Sequence, residues 1–388
     1  MNNRIFRIIL GVLALTAFFS SAAFAQGNYA KQSVLATGNW HKMGLKETGI
    51  YKLTYSDLAA FGINVDGIDP RNIRIYHNGG GVLPELNSEA RYDDLQELPV
   101  FVSGESDGKF DNNDYILFYG RGPVRWQYNQ SHSCYNHVQN YYDDYAYAFI
   151  TTDLGAGKRI SAENVPSSAA AETVTEFLDY KVHEIDAENL NHMGRSYYGD
   201  AMDGNVSKDF DFSFPNVVTS RQCLLHVELV GRNFSPASFK LLVDGNQHAS
   251  YSLSPVDPTS TVAVAVTASG YVNVYPSKDE VKVTLQHVGN ANTTSRGYVD
   301  YIAVNAWRNL NFSGQQMLFR NPEMTNINKV YECRISNASQ QMQVWNVSNP
   351  VAPTKINGQL NGNVFSFNVH GNAENEFVAF DGSSVSTR

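Results

Sequence analysis

Charge is scarce in this chain. Asp, Glu, Lys and Arg supply 17% of its 388 residues, against roughly 25% in ordinary soluble domains. Tyr, Asn, Ser and Thr take their place, a mix usual in exported β-rich proteins. Basic residues are the scarcer sign: 29 Lys+Arg face 38 Asp+Glu, for a formal net charge of −9. A phosphate backbone needs a cationic face, so no nucleic-acid partner is expected. Cysteine is also rare. Cys134, Cys223 and Cys333 are far apart and odd in number, so at most one intramolecular disulfide can form. Free buried thiols are the simpler reading. Apolar residues are not lacking: 43% are hydrophobic, with 22 Tyr and 21 Phe. That content excludes global disorder. At roughly 100–200 residues per domain, two or three domains fit.

Long apolar runs are confined to the first residues. Arg4 and Arg7 precede the apolar stretch 8–19, and Ala23-Phe24-Ala25 makes a small-x-small cleavage site. This is the pattern of a secretory signal peptide over 1–25. The apolar stretch is too short for a membrane span, which needs roughly 20 residues. No later stretch reads as a transmembrane segment. An exported protein is expected, in the periplasm or at the outer-membrane cell surface.

The remainder reads as mainly β and multi-domain: a small N-terminal β-rich α+β domain followed by jelly-roll or β-sandwich domains. In 26–160, apolar strands are expected at 40–43, 48–53, 72–76, 100–102, 115–119 and 145–152. Ser56 to Gly62 has the start and stop signals of a short helix. The stretch 161–173 is rich in Ser, Ala and Pro and reads as a linker. Over 174–309 nearly all the pattern is strand, including 223–230, 238–243, 261–267, 281–287 and 297–304. Asp244-Gly245 sits between two of these runs as a hairpin turn. Short strands at regular spacing indicate a sandwich or jelly roll. Residues 310–380 read as a further β domain or an extension of the sandwich, and 381–388 as a polar tail.

Candidate chemistry is thin. The loop 105–114 gathers Asp107, Asp111, Asn113 and Asp114, oxygen donors of the kind that wrap calcium. Their spacing departs from the EF-hand loop, and a loop between two strands with Asx caps is the simpler reading. His132, Cys134 and His137 could hold a soft metal, but three ligands on one short stretch rarely close a site; a surface loop with incidental histidines is expected. Cys223 and His226 lie three apart on an expected strand and so face opposite ways. Neither Cys223 nor Cys333 has the setting of a reactive thiolate. The sequence contains no G-x-S-x-G, Walker loop or H-E-x-x-H. Gly79-Gly80-Gly81 follows a strand but leads to Val-Leu-Pro, so a tight turn is expected there. Tyr141, Tyr142, Tyr145, Tyr147, Tyr197, Tyr198, Trp307 and Trp345 could stack on sugars, or pack in cores.

Several phrases, in order, carry a resemblance. They are Thr48–Leu53 with its following helix, Asn72–Pro84, Arg91–Glu97, Asp107–Asp111 and Asp114–Gly120. Gly157–Ile160, Gly194–Asp200, Asp300–Ala306 and Val344–Pro350 continue the series. Together they resemble the N-terminal, non-catalytic region of the PorU family, the gingipain-like cysteine-peptidase sortases of the Bacteroidetes type IX secretion system. The resemblance covers nearly all of the chain beyond its leader. It implies that relatives continue past the 376–381 strand into a caspase-like peptidase domain bearing the catalytic His and Cys. No residue here matches those two, so none is carried over and no catalysis is expected from this chain. In the family, the whole protein removes cargo sorting domains and attaches cargo to surface lipopolysaccharide. The implied partners are secretion-system components, cargo sorting domains or a separate peptidase domain. On this reading the strand at 376–380 is expected to carry an interface or an unpaired edge. A free-standing carbohydrate-binding or adhesin module, with aromatics along a concave sheet face, is the alternative. An enzyme with convergent polar groups in a deep pocket is a third reading.

Overall fold

The computed structural model describes residues 30–382, except 191, 193, 195, 261, 262 and 291–293. The expected signal peptide at 1–25 and most of the expected tail therefore lie outside the described residues. The fold is mainly β, built as three two-sheet units and one hairpin.

In the first unit, His41–Leu45, Ala146–Thr151, Arg74–His77 and Gln96–Leu98 form one sheet. Gly49–Thr54, Tyr115–Gly120 and Phe101–Val102 form the other. Alternating side chains such as Ile73, Ile75, Ile116, Phe118 and Ile150 meet between them. The expected short helix is Tyr55–Ala60, started by a reciprocal capping box between Thr54 and Asp57. The glycine triplet is a turn, as expected, with φ of +89°, +71° and +69°. A Cβ on Gly80 would come within 2.5 Å of the Arg121 carbonyl oxygen, so the chain needs glycine there for space as well as conformation.

The central unit is a jelly roll. One sheet runs Glu176–Glu184, Ser295–Asn309, Cys223–Asn233, Val266–Val274. Gly199–Asp203 shares the edge of Ser295–Asn309 with Glu176–Glu184. The facing sheet runs Val206–Ser213, Glu280–Val288, Ala237–Val243, Asn246–Leu253. Cys223, Leu225, Val227 and Leu229 point inward from one strand and meet Phe239, Leu241, Val283 and Leu285 from the other sheet. Asp244 and Gly245, at φ 47° and 84°, make the expected two-residue hairpin turn. The strand read at 261–267 lies further on, at Val266–Val274.

The third unit pairs Thr354–Ile356, Gln343–Asn346, Phe377–Phe380 and Met317–Phe319 in one sheet. The other holds Val330–Ile335, Val364–His370 and Gln359–Asn361. The Ser, Ala and Pro-rich stretch is drawn into this unit. Ala162–Glu163 and Glu172–Val174 each add a parallel strand, one to each sheet.

Two side-chain amides join the units by imitating a strand. Gln316 accepts from the Ile50 N–H at 2.6 Å and donates to the Ile50 carbonyl at 3.0 Å. Asn305 does the same to Tyr135, at 2.7 and 3.0 Å. Each satisfies two backbone groups that burial would otherwise orphan.

Candidate interaction site

The sequence around His132, Cys134 and His137 is not a surface loop. It is the second half of a hairpin, Arg125–Asn129 paired with Cys134–Val138. Asn129 Oδ1 closes the turn by accepting from the Ser131 and His132 N–H groups. The hairpin lies on the outer face of the jelly-roll sheet that includes Ser295–Asn309. Tyr135 packs there with Leu178, Tyr180 and Ala303, flanked by Trp126, Tyr128 and Trp307. Period-two alternation explains this face: Ile302, Val304 and Ala306 enter the jelly-roll core, while Tyr301, Ala303 and Asn305 meet the hairpin.

The three expected soft-metal donors separate here. His132 stacks on Tyr271 at 3.9 Å between ring centres. The Cys134 thiol is buried near Asn136 Oδ1. His137 places Nδ1 2.9 Å from the Tyr180 hydroxyl and Nε2 2.5 Å from a Glu184 carboxylate oxygen. His137 thus lies between a hydroxyl and a carboxylate. Beside it, His226 stacks on the other face of Tyr271 at 4.0 Å. Its Nδ1 meets the Tyr301 hydroxyl at 3.1 Å and its Nε2 lies 3.3 Å from Glu228.

At the end of this contact the structure opens into a groove of about 530 Å³. Three connections from two units wall it. Residues 78–95 bring Glu85, residues 139–145 bring Gln139 and Tyr141, and residues 185–198 bring Asp186 and Tyr197. Glu184, Tyr301 and Asp300 lie deeper. Gln139 donates to Asp186 at 3.1 Å and ties two of the walls together. Burial, then Glu184, Glu228 and Asp186, push the Asp300 carboxyl up to about 6. Burial also raises Asp186, with help from Glu184 and Asp144. The same connections expose apolar side chains: Leu83, Leu86, Tyr141, Tyr142, Ile185 and Tyr197. Tyr142 is 79% exposed. Of these, Tyr141 and Tyr197 line the groove itself.

A second polar cluster lies where the first and third units meet, and it is mostly buried. Glu376 takes hydrogen bonds from Arg121 Nη2 at 2.9 Å and from Arg320 Nη2, with the Tyr119 hydroxyl 3.5 Å away. Burial would raise its carboxyl, but Arg320 and Arg121 outweigh burial and hold it below the usual range. Arg320 also lies 5.5 Å from the Tyr135 ring centre, so the hairpin joins the junction. Around it Ile50, Leu117 and Tyr119 meet Trp345, Val347, Val378 and Phe380.

That packing overturns the expected free edge near 376–380. Phe377–Phe380 is an inner strand, paired with Gln343–Asn346 on one side and Met317–Phe319 on the other. Phe377 and Ala379 fill the third unit's core, and Val378 and Phe380 fill the junction.

The residues read as calcium donors lie on one loop. Asp107 Oδ1 accepts from the Lys109 N–H at 2.9 Å, and Asp114 Oδ2 from the Asp111 N–H at 2.8 Å. Among the described residues no group of three His, Cys, Asp or Glu is placed to hold a metal ion. Cys223 and Cys333 are sealed in cores, where burial pushes each thiol up to about 12. The aromatics divide. Trp345 is fully buried and Trp307 lies under Arg221, whereas Tyr141, Tyr142, Tyr145 and Tyr197 are exposed on connections rather than along a sheet face. Sequence reading missed Arg121, Arg320 and Glu376. In a chain this poor in charge, a charged residue abutting an apolar strand was the available signal. It also missed Glu184, Asp186 and Asp300, whose partners are remote in sequence.

No family model matches the chain, and no curated protein matches it. Among solved structures, dimeric latent PorU from Porphyromonas gingivalis overlays 94% of this chain with a TM-score of 0.78, at 22% identity. The two share a fold. The overlay covers 34% of that chain, so the present one spans about a third of its length. Two CBM36 carbohydrate-binding modules align with 32% and 33% of this chain and 96% and 98% of their own. One comes from a multidomain xylanase of the Trinervitermes trinervoides hindgut metagenome, and the other was solved with calcium and xylotriose. Their identities are 13% and 16%, and their TM-scores, 0.23 and 0.21, support no inference. No helix among the described residues is long and apolar enough to cross a membrane.

Proposed function

We propose that this chain serves as the exported, non-catalytic docking portion of a PorU-like type IX secretion sortase. Its β units would present surfaces to a peptidase domain, to cargo sorting domains or to secretion components at the outer membrane. The supporting observation is the fold shared with PorU along 94% of this chain, against a third of PorU's length. The cysteines agree with a docking role. Each is buried, and burial raises each thiol, the opposite of what a peptidase nucleophile needs.

The test is direct binding. The chain from Gln26 onward is titrated calorimetrically with a separately produced PorU-type peptidase domain and with a cargo C-terminal sorting domain. Saturable binding to either is expected. No heat with both, from folded samples, overturns the docking reading. A second reading is a free-standing carbohydrate-binding or adhesin module, favoured by the exposed Tyr141, Tyr142 and Tyr197 beside the groove. It requires saturable glycan binding that Tyr141→Ala abolishes.

A further inference from the structure

The cluster around Glu376 extends beyond its carboxylate. Glu376 lies between Arg121 and Arg320. Arg125 begins the hairpin four residues after Arg121 and stands beside that row. It is half-buried, and its Nε is shut off from water. Among the described residues it forms no hydrogen bond or ion pair. Arginine keeps its proton, so burial does not neutralise it. Burial, then Arg121, pull the Arg125 guanidinium below its ordinary value, and the opposing pull of Glu89 is weaker. The chain carries carboxylates in excess, at a net charge of −9, yet none is placed against this group. The side chain is also held in position. A Cβ on Gly81 would come within 2.4 Å of Arg125 Cδ and 2.6 Å of its Nε, so the stem packs against the glycine turn. Arg121 packs on the same turn, where a Cβ on Gly80 would come within 2.8 Å of the Arg121 Cβ. A pinned, partly desolvated and unpaired guanidinium is suited to oxyanions. Its planar fork matches two oxygens, and little rotamer freedom remains to be lost on binding.

We propose that Arg125, with Arg121 beside it, binds an oxyanion group, the chemistry that carboxylate, sulfate and phosphate share. The Arg125 fork donates to the oxygens, and Arg121 adds positive field while keeping its own bond to Glu376. The bound anion offsets the repulsion between the two guanidiniums, so the site favours anions over neutral molecules. It lies against the 78–95 connection, and it does not depend on the docking reading.

The probes are inorganic sulfate, inorganic phosphate and acetate, each titrated into the full chain at fixed ionic strength with sodium chloride making up the balance. Thermal denaturation is the readout. A ligand of the folded state raises the midpoint along a saturating curve, whereas the general stabilisation by sulfate and phosphate climbs without saturating. A saturating rise at millimolar anion is expected. Saturation by acetate alone assigns the site to carboxylates, and saturation by sulfate and phosphate alone assigns it to tetrahedral oxyanions. Arg125→Gln should weaken the apparent affinity about tenfold, as loss of a hydrogen bond to a charged group does. Arg334→Gln, exposed in the third unit, should leave it unchanged. No saturating rise with any of the three overturns the proposal, and so does a response confined to molar concentrations, which marks an adventitious ion only. A folded Arg125→Gln that has a lower midpoint in chloride but an intact anion-dependent rise shows a merely structural arginine and also overturns it. Should that variant fail to fold, phenylglyoxal labelling of the unmodified protein, read by peptide mass, decides the matter. Arg125 must be protected by the saturating anion and not by chloride, and equal labelling in both overturns the proposal.

Discussion

The protein places charged side chains at two boundaries between units and treats them in opposite ways. At the junction of the first and third units, Glu376 lies between Arg121 and Arg320, its side chain 6% exposed. At the boundary between hairpin and jelly roll, Glu184, Asp186 and Asp300 share a groove open to water with one imidazole. The first arrangement has more cation than anion, and apolar side chains surround it. Removing one partner there leaves a buried charge uncompensated, which costs far more than the pair contributed. The second gathers Glu184, Asp186 and Asp300 in a cavity open to solvent, with Glu184 beside His137 and Asp186 accepting from Gln139. The same type of residue is therefore a structural pin in one place and part of a solvent-open groove in the other.

The largest expected effect tests the pin. Glu376→Gln leaves Arg121 and Arg320 facing each other without a carboxylate and should destabilise the protein by about 3–5 kcal/mol. Urea denaturation followed by tryptophan fluorescence reads this, since Trp345 packs in the same junction. A loss under about 1 kcal/mol would mean the junction is hydrated, and the contrast with the groove would fail.

The seating of the hairpin comes next. Asn305→Ala removes both bonds to the Tyr135 backbone and leaves an N–H and a carbonyl buried without partners. The cost should be about 1–3 kcal/mol, concentrated in the hairpin. Hydrogen exchange should speed at 125–138 while the jelly-roll strand Cys223–Asn233 keeps its protection. Uniform acceleration of both would show that hairpin and jelly roll unfold as one unit.

Legibility in the sequence follows the same divide. Strands whose faces alternate were readable, and so was the short helix, read from Ser56 to Gly62 although it starts one residue earlier, behind a Thr54 cap; local pattern and burial agree there. For the strand at 376–380 an interface or an unpaired edge was expected, and the edge does not hold, since Phe377–Phe380 is paired on both sides and apolar without a break. An unbroken apolar run signals a strand buried on both faces, and Phe377 and Val378 do enter different cores. The hairpin was missed for the opposite reason. Cys134–Val138 reads Cys-Tyr-Asn-His-Val, with polar residues whose partners, Tyr180, Glu184 and Asn305, are remote in sequence. Local pattern reports whether a side chain is buried; it does not say against what. The groove inherits that blindness, since its walls come from three connections that only the tertiary fold brings together.

The smallest expected effect sharpens the contrast through its sign. Asp300 has a folded value of about 6, above the roughly 3.9 of an unfolded aspartate. The folded state therefore binds the extra proton between those values, and the ionised carboxylate costs stability above pH 6. Glu376 behaves the other way. Its folded value is lowered, so its contribution is complete above the unfolded glutamate range and is lost as pH falls through the folded value. Asp300→Asn should then stabilise the protein at pH 8 by about 1 kcal/mol, a figure reduced for the solvent that reaches the groove. At pH 4 the variant and the parent should be equal. Denaturation midpoints at the two pH values check this. Stabilisation that persists undiminished at pH 4 would trace the gain to packing rather than charge, and the contrast in sign with Glu376 would fail.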